Sequence, residues 1–318
     1  MKAAIYSKNG GPEVFSYEEV ANPIPKKNEV LIKVAAISIE GGDLSNRLLA
    51  TPPTEKHIVG YAASGEIIAL GEEVTGFEIG QKVVTFSWTG SHAALRAVDA
   101  GTTFLIPEGM DADLAIASFI GVATAALAIQ LSEVKSGETA LITGATGGVG
   151  SAIVQILANK GVKVFASGRN AGTLEQLKSF GVSETIVVGD QSIHDQVRAI
   201  KNDGVDVFID TVGSEILIDG IQSVKDGGKV VLIAGRAGAG NFIDPLYLLS
   251  HRITVIGCLL GVIMQEEFVK ELVKESLQMV AQGEVKVPIH QKFKLEDAAK
   301  AHEEAEKSGK LGRIIMNP

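Results

Sequence analysis

The chain of 318 residues contains one cysteine, Cys258, one tryptophan, Trp88, and only 5% aromatic residues. A single thiol forms neither an internal disulfide nor a thiolate-rich zinc centre, so a reducing, cytoplasmic setting is expected. Basic residues are also few: 29 Lys and Arg against 38 Asp and Glu leave a net charge of −9. That balance lacks the cationic footprint of phosphate-backbone binding, and nucleic acid is not an expected partner.

Long apolar runs are scarce as well. Residues 1–11 carry Lys2, Lys8, Gly10 and Gly11 where a secretory signal needs an apolar stretch. The longest low-polarity run, 114–129, is shorter than a membrane span and contains Ser118, Gly121 and Thr124. It reads as a buried or interdomain helix, and no membrane partner is expected. Nine prolines against 36 glycines, without a three-residue period, exclude collagen and indicate tight turns. With 46% hydrophobic and 21% charged residues, the chain has material for a packed core. At about 150 residues each, two domains are expected.

Two textures divide it. Up to about residue 117, short apolar stretches at 29–37, 65–70, 82–86 and 92–98 alternate with turns at Pro52, Pro53, Gly71, Gly76 and Gly80. This pattern predicts a β-rich domain. From about residue 138, strand-like runs recur at 139–143, 162–166, 185–188, 206–210, 230–234 and 253–257, separated by helical patterns. Six such runs match a Rossmann sheet in number and predict an α/β, parallel doubly wound domain. The tail holds helical spacing at 266–281 and 295–307 and a strand at 313–316. It has no room for further sheet repeats and is expected to rejoin the first domain. The boundaries so read are 1–118 with 267–318, and 119–266.

The run Thr143-Gly144-Ala145-Thr146-Gly147-Gly148-Val149-Gly150 follows a strand and precedes an amphipathic pattern. Ala145 takes the first glycine position of the dinucleotide motif, while Gly147 and Gly150 hold the second and third. Gly147 lets backbone approach a pyrophosphate, Gly150 permits close helix packing, and the helix start offers free N–H groups. A bare β–α turn without ligand is the competing reading, weakened by the six strands in order. The loop also suits short-chain dehydrogenases. Those need a Tyr-x-x-x-Lys pair, and none of Tyr6, Tyr17, Tyr61 or Tyr247 has a lysine four positions on.

The second strand ends Ala166-Ser167-Gly168-Arg169-Asn170, with no carboxylate to pair the ribose hydroxyls of NAD. A hydroxyl and a guanidinium suit a 2′-phosphate instead, so NADPH is the favoured cofactor, with Ser167 and Arg169 as its phosphate partners. A solvated turn arginine is the alternative for Arg169.

Nearly end to end, the chain resembles the medium-chain dehydrogenase/reductase superfamily, in its zinc-independent quinone oxidoreductase-like branch. The resemblance is carried by Gly10-Gly11-Pro12-Glu13-Val14, Gly60-Tyr61-Ala62-Ala63-Ser64-Gly65, Val74-Thr75-Gly76-Phe77, the glycine loop, Gly227-Gly228 and Leu311-Gly312-Arg313-Ile314-Ile315. It implies a GroES-like catalytic domain built from both chain ends, a Rossmann domain, an active site in the cleft between them and commonly a homodimer joined near 253–257. It implies hydride transfer from NADPH to an electrophilic small molecule, a quinone or α,β-unsaturated carbonyl. Enoyl-thioester or alkenal reduction and a non-enzymatic NADPH-sensing or RNA-associated role are the alternatives.

On this resemblance Thr146, Gly147, Gly148 and Val149 flank the pyrophosphate. Thr124, Val212, Ile233, Ala234, Gly235, Arg236, Leu259 and Leu260 flank the ribose and nicotinamide. Departures matter too. Zinc relatives carry Gly-His-Glu where this chain reads Gly60-Tyr61-Ala62, and Cys258 lies in the last Rossmann run. Three protein ligands are needed for catalytic zinc, and the six histidines show no pair at ligand spacing. No metal site is expected. Relatives have Asn where Glu40 stands, with an acid at the position of Asp43. Glu40 is then either a group that orients substrate or delivers a proton, or a turn carboxylate paired with Arg47. Tyr61, Glu40 and Asp43 are the candidate catalytic residues, Tyr61 being alternatively a packed wall.

Overall fold

The computed structural model describes residues 1–213, 216–235 and 243–318. Its first strands are short because turns interrupt them. Strand β1 (Lys2–Ile5) pairs antiparallel with β2 (Ser16–Glu19). The ten-residue β3 (Glu29–Ser38) alternates buried and accessible side chains in its first half, the period-2 signature of a half-buried strand. It leads into α1 (Gly41–Leu49), which Glu40 caps through its backbone. Strands β4 (Ala62–Leu70), β5 (Lys82–Phe86), β6 (Leu95–Asp99) and β7 (Thr103–Leu105) follow.

Helix α2 (Ala112–Ser132) then carries the chain out of the β-rich unit. At 21 residues it is longer than the sequence run suggested and, by length and composition, could cross a membrane. Its most apolar stretch is 72% buried, as in the core helix of a globular domain.

The next strands repeat with helices between them: β8 (Thr139–Ile142), α3 (Gly148–Asn159), β9 (Lys163–Gly168), α4 (Ala171–Gln176), β10 (Val182–Val187), α5 (Ile193–Ile200), β11 (Val205–Asp210), α6 (Ile216–Gln222), β12 (Val224–Leu232), α7 (Pro245–His251) and β13 (Thr254–Gly257). The sheet is parallel, ordered β10-β9-β8-β11-β12-β13, the Rossmann arrangement expected from sequence. Leu141, Phe208 and Val230, all fully buried, lie in its core. Cys258 falls one residue beyond β13 rather than within it, though its N–H still reaches Leu232 O at 2.8 Å.

The tail supplies α8 (Glu267–Ala281), β14 (Ile289–Lys294), α9 (Ala298–Glu306) and β15 (Arg313–Asn317). Strand β14, absent from the sequence reading, and β15 extend the first unit's sheet in the order β14-β15-β3-β4-β5-β7, with β6 paired to β3. Val30, Ile32, Ile67, Leu295, Ala301, Ile314 and Met316 form one core, so both chain ends build one hydrophobic unit. The compact units are Met1–Ile120 with Gly261–Lys307 and Gly312–Pro318, and Gly121–Leu260 with Ser308–Leu311.

Candidate active site

After β8 the chain turns at Gly144, whose φ of +61° lies in the left-handed region. A Cβ there would lie 2.4 Å from Thr211 Oγ1. The tight turn is therefore made at Gly144, one residue before the position assigned from the motif, and Ala145 is tolerated for that reason. A Cβ on Gly150 would lie 2.3 Å from Gly144 O and 2.8 Å from the Ala145 Cα, so only glycine lets α3 pack this closely. Gly147 is exposed at the N-cap of α3, and Thr146, Gly148 and Val149 are half-buried beside it. The first-turn amides of such a helix lack intrahelical acceptors and attract an anion.

At the end of β9, Ser167 is fully buried and its Oγ has no partner among the described residues. Arg169 is exposed, and its guanidinium makes no hydrogen bond or ion pair among the described residues. An orphaned hydroxyl two residues from a free guanidinium fits the phosphate site read from sequence.

Asp210 was not foreseen as a site residue. It ends β11, which neighbours β8 where the strand order reverses. Its Oδ1 accepts from Thr143 Oγ1 at 2.5 Å and Val212 N at 3.1 Å, and its Oδ2 accepts from Gly213 N at 2.9 Å. The buried carboxylate thus shapes the loop that carries exposed Val212 at the switch point of the sheet. Ile233 and Ala234 are half-buried, Gly235 and Leu259 exposed, and Thr124 buried. Leu260 is only 3% exposed, so its side chain is core and only its backbone could face a ligand. Arg236 lies outside the described residues.

In the GroES-like unit, the Tyr61 hydroxyl accepts from Asn46 Nδ2 at 3.1 Å. The Tyr61 ring meets Trp88 edge to face at 5.4 Å, and Phe86 meets Trp88 at 5.2 Å. Gly42 and Gly261 border this corner: a Cβ at either would stand 2.3 Å from the Tyr61 ring or 2.7 Å from the Trp88 ring. Trp88 is 43% exposed, so the corner has an accessible aromatic surface. Burial pushes the Tyr61 phenol upward, with Asp43 adding to the rise.

Glu40 corrects the sequence reading. It pairs with Arg313 of β15 and accepts from Ser38 Oγ, rather than pairing with Arg47. Arg47 is fully buried and pairs instead with Glu306 of α9. Asp43 is fully buried and accepts from Glu40 N at 2.9 Å and from Tyr61 N at 3.0 Å. With both oxygens used by backbone amides, it ties Tyr61 to the start of α1. Burial pushes its carboxyl up to about 8, against the pull of those two amides.

Two histidines distant in sequence meet. Arg47 Nη1 lies 3.0 Å from His302 Nδ1, and since a guanidinium only donates, that nitrogen accepts. His302 then carries its proton on Nε2 and donates to His92 Nε2 at 2.9 Å, leaving His92 Nδ1 to donate to Ser91 Oγ at 3.0 Å. Both rings are fully buried and neutral; desolvation pushes His92 down to about 3 and His302 well below its ordinary value. Among the described residues, no group of three or more His, Cys, Asp or Glu is placed to hold a metal ion. Cys258 is buried, and burial pushes its thiol up to about 11, so it is a poor ligand and nucleophile.

A GroES-like unit and a Rossmann unit together define an α/β oxidoreductase architecture. The Alcohol dehydrogenase GroES-like domain family matches residues 26–130, and the Zinc-binding dehydrogenase family matches residues 148–278. The donor set described above does not fit the metal of the second family's name. The quinone oxidoreductase of Sus scrofa is 31% identical over 326 residues, covering 99% of this chain and 97% of that protein. The Rattus norvegicus quinone oxidoreductase is 28% identical over 99% of this chain and 97% of its own length. The crystal structure of Escherichia coli quinone oxidoreductase complexed with NADPH superposes with a TM-score of 0.94 at 25% identity, covering all of both chains. The chain belongs to the quinone oxidoreductase-like family of medium-chain dehydrogenases/reductases, and it is an oxidoreductase.

Proposed function

We propose that the protein is a zinc-independent, NADPH-dependent reductase whose acceptor is a quinone or another α,β-unsaturated carbonyl. The observation that carries this reading is the corner at Tyr61. Where zinc relatives place a ligand, a phenol bonded to Asn46 stands beside an accessible indole. Such a corner offers apolar π surface and a hydroxyl, which suits a flat, already electrophilic acceptor. Oxidation of an unactivated alcohol would lack its usual alkoxide stabiliser here.

The cofactor reading is supported by the NADPH complex of the Escherichia coli relative and by the free Arg169 guanidinium. Gly147, Gly148 and Val149 would hold the pyrophosphate, and Arg169 with Ser167 the 2′-phosphate. When bound, the nicotinamide supplies a hydride. The Asp210-shaped loop would support the ribose, Tyr61 and Trp88 would orient the acceptor, and a solvent proton would complete its reduction. Positioning alone supplies much of the acceleration in such a reaction. The reading includes a homodimer formed through β13, the edge strand of the Rossmann sheet.

A panel of 9,10-phenanthrenequinone, a 2-alkenal and an enoyl-CoA, with NADPH absorbance followed, tests the proposal. Quinone turnover supports it, enoyl-CoA turnover alone moves the function to double-bond reduction of thioesters, and cofactor binding without consumption by any acceptor refutes catalysis.

A further inference from the structure

Arg96 of β6 is 2% exposed, yet among the described residues it forms no ion pair with a carboxylate. Its Nη2 donates to Tyr61 O at 2.8 Å, Thr89 O at 3.0 Å and Ser87 O at 3.4 Å. Its Nη1 donates to Thr85 Oγ1 at 3.0 Å and Thr85 O at 3.2 Å. Nε is buried with no partner among the described residues. Burying a guanidinium this way carries a desolvation penalty that hydrogen bonds must offset, and an apolar side chain would fill a strand position without it. The bonds gained are concentrated on one place. One nitrogen takes the carbonyl of Tyr61 and the two carbonyls that flank Trp88.

We infer that Arg96 is the positioning residue of the acceptor corner: its guanidinium ties the backbone of Tyr61 to the segment carrying Trp88 and so fixes the angle between the two rings. The inference rests on the reading that acceptors meet this corner. The rings pack at 87° to each other, one of the preferred arrangements of an aromatic pair. On the other side of Tyr61, Asp43 takes its N–H, so the residue is held through both faces of its backbone. With Arg96 removed, Tyr61 O retains, among the described residues, only the N–H of Ser87, at 3.0 Å, and the carbonyl of Thr89 loses its guanidinium donor.

Trp88 is the sole tryptophan, so emission excited selectively from tryptophan reports on this corner alone. The test compares Arg96→Met, Arg96→Lys and Thr85→Val, which keeps the cation and removes one of its acceptors together with the bond that Thr85 Oγ1 donates to Ala63 O at 3.0 Å. In Arg96→Met the Trp88 emission shifts to the red and KM for 9,10-phenanthrenequinone rises about tenfold, while the NADPH Kd is unchanged. Arg96→Lys recovers part of both effects, and Thr85→Val shows a smaller change in the same direction. A folded Arg96 variant with wild-type emission and KM overturns the inference. If neither Arg96 variant folds, Thr85→Val decides it, and wild-type values there overturn it equally. Should no acceptor be reduced by the wild-type protein, the proposed function fails, while the emission shift still tests Arg96.

Discussion

Replacing Glu40 by Met would break the buried pair with Arg313, whose side chains are 7% and 10% exposed. Arg313 would keep one bond, from Nη2 to Ser38 Oγ at 3.2 Å, and its Nε already lacks a partner among the described residues. Removing one member of such a pair leaves an uncompensated buried charge and costs about 3–5 kcal/mol. That is a large share of the roughly 5–15 kcal/mol that holds a typical domain folded. Removing both charges in Glu40→Met/Arg313→Met also removes both desolvation penalties, and the double variant should lie within about 1 kcal/mol of wild type. Urea unfolding followed by far-UV circular dichroism, run as a double-mutant cycle, measures the difference. Additive single effects, or a Glu40→Met loss under about 1 kcal/mol, would refute a buried pair that depends on both partners. The same geometry bears on catalysis. Glu40 is bonded to Arg313 and Ser38 Oγ, both part of the fold, so Glu40→Gln should keep most of the kcat; a loss of kcat in the folded variant would restore Glu40 as a candidate catalytic group.

Arg169→Ala removes one charge-assisted contact from an exposed site, so NADPH affinity should fall about tenfold, the low end for such bonds, while NADH affinity stays constant. Titration with both cofactors checks this, and an equal loss would sink the 2′-phosphate role. Ser167→Ala deletes a buried hydroxyl without a partner among the described residues. Thermal unfolding of the cofactor-free protein should be unchanged or slightly higher, whereas NADPH binding weakens; a clear drop in Tm would mean that the hydroxyl serves the fold. Stability should also follow pH in two directions. His92 and His302 have depressed folded values, so their contribution is full above pH 6.5 and is lost as pH falls toward about 3 for His92. Each contributes a slope of up to about 1.4 kcal/mol per pH unit. Asp43, raised to about 8, contributes below 3.8 and loses its contribution as pH rises through 8. Maximum stability near pH 6.5 is expected, with His92→Gln flattening the acid side; a profile level from pH 5 to 7 would contradict the buried neutral histidines.

Much of the Rossmann unit could be read from sequence because its determinants are local. Each buried parallel strand is a short apolar run, each helix has its own periodicity, and Gly150 is required by atoms only five and six residues away, at Ala145 and Gly144. Arg169 was legible for a similar reason: its position at a strand end follows from counting along one βαβ unit. Strand β14 escaped notice because Ile289–Lys294 alternates polar residues and shows no apolar run of its own. It becomes a strand by pairing with β15.

The chemistry of the GroES-like unit depended on contacts between residues far apart in the chain. Sequence could name Tyr61, Glu40 and Asp43 as polar groups in a suggestive segment, and it could show a chain with one cysteine and no recognisable zinc set. It could not show that Arg313 reaches Ser38 across 275 positions, or that Arg47 meets His302 across 255. A buried charge takes the partner that the packed core brings within bonding distance, and nothing local encodes that choice. Local periodicity and glycine placement determined the class of fold and the cofactor loop. Only the tertiary structure decided which carboxyls are committed to structure, which histidines are neutral, and that one guanidinium holds the lone tryptophan beside Tyr61.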